Sequence, residues 1–163
     1  MPALALQLSL MAAEAALAAA VLLALFSARR IFGLAPLYTT VGVLYYLATL
    51  LAGTTFVQVG GLLMSPGSVA LFPATVFAVL LVYIREDARE ARNMIYGLLA
   101  ANVAASVLGL IVSQHLRGPL AVNPLALPPE LFAQSPRLFL VGLLALFVDT
   151  ILIILVYEAA TRA

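Results

Sequence analysis

Cysteine, lysine and tryptophan are absent, and histidine occurs once, at His115. Without cysteine the chain can form no disulfide, thiol nucleophile or Cys-ligated metal site. Without lysine it can carry neither a P-loop lysine nor a Schiff base. A single histidine excludes a multi-His metal site within one chain, so no metal and no cofactor is expected. Charge is scarce as well. Charged residues make up 9% of the chain, against about 25% in soluble domains. The net charge of +1 provides no basic face for nucleic acid. No Ser/His/Asp, HExxH, P-loop or GxGxxG pattern is present, and the expectation is a protein without catalytic activity.

What is there is apolar. Hydrophobic residues make up 65% of the 163, and mean hydropathy is +1.17. A soluble protein of this composition would expose adhesive surface, so the bilayer is the expected solvent. The expected fold class is all-α: one polytopic transmembrane helix bundle over residues 1–163, with about five spans. About 20 apolar residues cross a bilayer, and on that measure the runs 3–26, 37–59, 68–84, 94–113 and 138–157 qualify. The first run has no basic residues before it, and Arg29-Arg30 follow it, so it reads as a retained span rather than a signal peptide. Its alanines Ala12, Ala16 and Ala20 form a small-residue stripe suited to close helix approach. Pro36 suits the first turn of the second span, and Pro73 falls in the first turns of the third. Between those two spans, Gly60-Gly61 and Ser65-Pro66-Gly67-Ser68 make a tight uncharged connection. Residues 114–136 hold five prolines and read as an extramembrane loop with one short interfacial helix, Pro129 to Gln134.

The stretch Arg85-Glu86-Asp87-Ala88-Arg89-Glu90-Ala91-Arg92 is the one strongly charged loop. With five spans, Arg29, Arg30, Arg85, Arg89, Arg92 and Arg162 fall on one side, and Arg117 and Arg137 on the other. Basic residues in short loops mark the cytoplasmic side. The expected topology is therefore N-out and C-in, multi-pass, in the inner (cytoplasmic) membrane. On one short helix Arg85, Arg89 and Arg92 would form a basic ridge for anionic lipid or a partner, although a solvated topological stop is the plainer reading.

Few residues in the spans can carry chemistry. Asp149 lies near the middle of the last span, where an ionised carboxylate costs about 2.5–3.5 kcal/mol on insertion scales. It is expected to face the bundle, protonated or paired, either as a ligand contact or as an interhelical hydrogen bond. Glu14 is a second intramembrane acid with no arginine at its depth. Asn102 is amphoteric and suits either a polar heterocycle or helix–helix contact. Thr75 and Ser106 complete the candidate ligand-binding set, with bonding to their own helix backbone as the plainer alternative.

The central block, with Ser65-Pro66-Gly67-Ser68, the Tyr83 to Arg92 loop, Ile95-Tyr96-Gly97-Leu98-Leu99 and Asn102, resembles the VUT-type membrane domain. So does Phe147-Val148-Asp149-Thr150 running to Tyr157-Glu158. That group includes queuosine-precursor uptake transporters and is similar in architecture to the S-components of vitamin transporters. A similar module serves as the N-terminal membrane input domain of bacterial diguanylate cyclases and histidine kinases. The resemblance covers about Gly33 to Glu158 and implies binding of a small ligand within the bundle. It departs from the family in two ways: the transporter-like proteins have six spans where five are counted here, and the signalling modules continue past the position of Glu158 into further spans.

Three functions follow as expectations. The first is a sensory or ligand-binding module, in which Asn102 and Asp149 read a small polar ligand. The second is an uptake transporter of the vitamin or queuosine-precursor class, working as a homo-oligomer or with a partner subunit. The third is a structural subunit of a larger membrane or signalling complex, its intramembrane acids paired with neighbouring chains. The lipid bilayer is the surrounding partner in all three.

Overall fold

The structure is a computed structural model that describes residues 2–59, 61–133 and 136–162. Six helices carry the fold: α1 (Pro2–Ser27), the single turn α2 (Arg29–Phe32), α3 (Ala35–Thr54), α4 (Phe72–Arg85), α5 (Ala88–Arg117) and α6 (Pro136–Arg162). A short antiparallel hairpin, β1 (Val57–Val59) with β2 (Leu62–Met64), and a π turn (Gly67–Leu71) join α3 to α4. A 3-10 turn (Pro129–Leu131) precedes α6. Among the described residues, four helices are long and apolar enough to cross a membrane: 4–27, 35–54, 67–85 and 88–117. The expected all-α membrane bundle is therefore what the chain forms.

The third of these is the central one. Half of its apolar window is buried inside the protein, against about a fifth for each of the other three, so α4 is the post around which the others stand. It packs on α5, α6 and α3, while α1 lies against the π turn and α3. The core runs through Leu22, Leu37, Val41, Val79, Val82 and Leu146, each at most 1% exposed. Pro36 sits in the first turn of α3, where a missing backbone N–H costs nothing, and Pro73 is the second residue of α4, directly after the π turn.

Two boundaries differ from the sequence reading. The second span does not run helically to Val59; α3 stops at Thr54 and the chain turns back as the hairpin. Thr54, Thr55, Val57 and Val59 are β-branched and favour extended backbone once the helix ends. Gly61, with φ of 89°, supplies the left-handed conformation for the two-residue turn. Ser65 then donates its hydroxyl to the Leu51 carbonyl at 2.9 Å, tying the returning strand to the last turn of α3.

The charged stretch is also not a loop throughout. Only Glu86 and Asp87 lie outside helices, and α5 begins at Ala88. Asp87 is the N-cap, its carboxylate accepting from the Glu90 N–H at 2.7 Å, with Glu90 itself in the positive first turn. Arg85 therefore ends one helix while Arg89 and Arg92 belong to the next, so no single-helix ridge of the three exists; all three are exposed. Asp87→Ala is expected to cost about 1 kcal/mol and to lower the melting temperature in detergent. An unchanged melt would assign the α5 start to packing alone.

The proline-rich segment is held by local bonds. Asn123 donates to the Leu127 carbonyl at 2.8 Å and accepts from the Leu127 N–H at 3.0 Å, closing a five-residue loop. The expected helix there is one 3-10 turn, and Gln134, its expected end, lies outside the described residues. Gly109 lets this segment approach α5: a Cβ at that position would stand 2.5 Å from the Phe132 carbonyl oxygen.

Candidate functional site

At the end of the bundle that carries the proline-rich segment, α3, the π turn and the first half of α6 diverge around a cavity of about 500 Å3. That is within the roughly 300–1,000 Å3 of small-molecule sites. Each wall has a local cause. Gly67 allows the π turn to touch the backbone of α3, because a Cβ there would collide with the Ala48 carbonyl and stand 3.0 Å from the Ala52 nitrogen. Gly142 leaves the opposite wall on α6 open, with only the Tyr45 hydroxyl near, 3.8 Å from where its Cβ would be. Phe72 inclines against Tyr45, ring centroids 6.3 Å apart. Glu130 and Leu131 form part of the rim, where Arg117 donates to Glu130 at 3.1 Å.

The walls are mainly apolar, and the two threonine hydroxyls among them are satisfied within the fold, while Ser68 is exposed. The Thr54 hydroxyl donates to the Leu50 carbonyl at 2.7 Å and Thr49 to the Tyr46 carbonyl at 2.8 Å. Tyr45 is different. It is 1% exposed, and its hydroxyl meets no hydrogen-bond partner among the described residues. A buried hydroxyl without a partner is costly, and native proteins rarely leave one so. In a cavity wall it is a ready donor and acceptor for a bound molecule.

The residues expected from sequence are dispersed. Asn102 is buried, and neither its Nδ2 nor its Oδ1 has a partner; Ser106, one turn further along α5, is likewise unpartnered at its Oγ. The two form a polar stripe on the α5 face that also carries buried Leu98 and Gly109, but neither lines the cavity. Thr75 is fully buried in α4 and its hydroxyl donates to the Leu71 carbonyl at 3.1 Å, which is the backbone-bonding alternative. Glu14 is exposed on α1.

Asp149 requires a correction. It does not pack into the bundle: its side chain is exposed, and Leu146 and Thr150 occupy the buried positions on that part of α6. The reason is geometric. Leu146 and Thr150 are four residues apart and share the face that meets the other helices, whereas Asp149 lies to one side of it.

Tyr45, Gly67, Phe72 and Gly142 were not singled out from the sequence for this site. Tyrosines suit interfaces and pocket walls alike. The glycine signal was visible only in the Ser65 to Ser68 stretch, where it read as a turn.

The arginine-rich end is built differently, from carboxylate ties. Arg29 bonds Glu86 and also donates to the Phe26 carbonyl at 2.9 Å. Tyr38 donates to the Glu90 carboxylate at 2.9 Å, and Tyr83 donates to Glu158 while its ring meets Tyr157 edge-on. These contacts fasten α1, α3, α4, α5 and the far end of α6 to one another. α6 therefore lines the cavity with one half and is latched to α4 by the other.

No curated protein and no solved structure matches the chain. A family model described as vitamin uptake-like sensor matches residues 19–163. That match covers all but the first part of α1 and agrees with the resemblance carried by the Ser65 to Asn102 block. The chain belongs to the vitamin uptake-like sensor family, a membrane protein of sensor type.

Proposed function

We propose that this chain binds a small molecule in the cavity between α3, the π turn and α6, and reports its presence through α6. In this reading α6 is the fifth span, the arginine-rich end faces the cytoplasm and the cavity opens to the other side, following the distribution of basic residues. The observation that carries the proposal is the Tyr45 hydroxyl, buried and unpartnered in the wall of a cavity of ligand size. A ligand hydrogen-bonded to Tyr45 sits against Gly142, so occupancy bears directly on α6. It can shift the protein only by preferring one of two helix arrangements, and the Tyr83–Glu158 contact at the other end of α6 is where the arrangement reaches the cytoplasmic side.

The test is native mass spectrometry of the protein released gently from membranes, comparing the wild type with Tyr45→Phe. The wild type is expected to retain a small molecule. The variant is expected to lose about 2–10-fold in affinity, the worth of one neutral hydrogen bond at about 0.5–1.5 kcal/mol. Its thermal stability should be equal or higher, because an unpaired buried hydroxyl is removed. A wild type that carries nothing from any source membrane, or a variant that retains the molecule equally well, would sink the proposal.

A further inference from the structure

We propose that the cleft between α2 and the end of α4, lined by Arg29, Arg30, Arg85 and Glu86, binds the phosphate of an anionic phospholipid. The cleft lies at the arginine-rich end, shares no residue with the Tyr45 cavity, and has a volume of about 340 Å3. Gly33 and Leu34 complete its lining. Three arginines against one glutamate leave it with surplus positive charge. Guanidinium groups stay charged in proteins, so the surplus does not depend on pH.

Arg29 is the fixed member. It bonds Glu86, donates to the Phe26 carbonyl at 2.9 Å and lies over the Phe26 ring at 3.9 Å. The one carboxylate of the cleft is therefore already engaged. Arg30 comes from α2 and Arg85 from α4, both are exposed, and neither has a hydrogen bond or ion pair among the described residues. Like charges converging on one cleft repel each other. A phosphate relieves that repulsion and offers acceptor oxygens to both planar forks at once.

What covers the cleft follows from its depth. α1 and α3 are long and apolar enough to cross a membrane, and the cleft sits where the chain leaves the first and enters the second. That is the level of lipid headgroups. Next to Arg30 on α2, Ile31 is 78% and Phe32 67% exposed. A soluble phosphate compound would engage the arginines and leave these two side chains in water. A phospholipid covers both, with its phosphate in the cleft and its acyl chains beside Ile31 and Phe32. Arg89 and Arg92 are exposed at the same end but do not line the cleft. They distinguish a built site from the general attraction of a basic surface for anionic lipid, to which each arginine near the surface contributes alike.

The test is native mass spectrometry of the full chain, freed of lipid in detergent and titrated with phosphatidylglycerol or with phosphatidylcholine, whose headgroup carries its own cation. The wild type is expected to bind one phosphatidylglycerol in preference to phosphatidylcholine. Arg30→Gln and Arg85→Gln are each expected to weaken that binding about tenfold, the loss of a charge-assisted hydrogen bond. Arg89→Gln and Arg92→Gln are expected to leave it nearly unchanged. Ile31→Ser combined with Phe32→Ser is expected to weaken it as well, and glycerol 3-phosphate at equal concentration is expected not to displace the lipid. Thermal melts check that each variant is folded, and phosphatidylglycerol should raise the melting temperature of the wild type more than that of Arg30→Gln. Three results would overturn the inference: no preference between the two lipids, equal losses at all four arginines, or displacement of the lipid by glycerol 3-phosphate.

Discussion

Gly67→Ala is expected to be the most damaging single-methyl change in the chain. The added Cβ would collide with the Ala48 carbonyl and crowd the Ala52 nitrogen, both backbone atoms of α3 that cannot rotate away. Relief requires the π turn to lift off α3, and that turn also packs on α1 and α4. Over-packing of a fixed interior costs about 1–3 kcal/mol, and collision with backbone belongs at the upper end. The variant is expected to melt well below the wild type in detergent and to lose the retained small molecule, because Gly67 and Ser68 form one wall of its cavity. Gly109→Ala provides a comparison: its Cβ would stand 2.5 Å from the Phe132 carbonyl oxygen, in the proline-rich segment rather than the core, where movement is less costly. A Gly67→Ala protein with unchanged melting would mean that α3 and the π turn are not in backbone contact.

Gly142→Leu is expected to separate stability from binding. The only atom near a Cβ at this position is the Tyr45 hydroxyl at 3.8 Å, an ordinary contact, so Gly142→Ala should bind as the wild type does. Leucine would extend into the cavity and occupy the space between α6 and Tyr45. Exclusion of a ligand from that space is expected to reduce affinity about 100-fold or more, equivalent to about 2.7 kcal/mol. The fold itself should gain, since leucine favours a helix over glycine by up to about 1 kcal/mol. A tighter-melting protein that no longer retains the small molecule is the predicted outcome. Retention of the molecule by the leucine variant would place the binding site elsewhere, and the Asn102–Ser106 stripe on α5 would be next to examine.

Much of this molecule was legible in its sequence because hydrophobic length and charge position are local signals. The runs near α1, α3, α4 and α5 could be counted, and Pro36 and Pro73 sit where helix starts admit proline. The Ser65 to Asn102 block and the Phe147 to Glu158 end carried the family resemblance, which the match over residues 19–163 bears out. The α5 start was misread because dense charge looked like loop, although Asp87 with Glu90 three residues later is a helix-start signature. The hairpin was hidden inside an apolar run, since a short β-branched stretch is hydrophobic whether helical or extended.

The site was not legible, and for a different reason. Tyr45 and Gly142 are far apart in the chain and meet only because α3 and α6 share α4 as a neighbour. Nothing in either local sequence announces that. The facing of Asp149 likewise depends on which side of α6 its neighbours take. Periodicity says which residues share a face; it does not say which face is covered when nearly every residue is apolar.

The two-residue break at Glu86 and Asp87 has a consequence for how the protein is made. A connection that short obliges α4 and α5 to fold back on each other as an antiparallel pair, and their packing joins residues close in sequence. Contacts of low sequence separation form first, because little chain entropy is lost in closing so short a loop. The pair would thus form early as a self-contained hairpin and present the finished surface onto which α1, α3 and α6 are assembled.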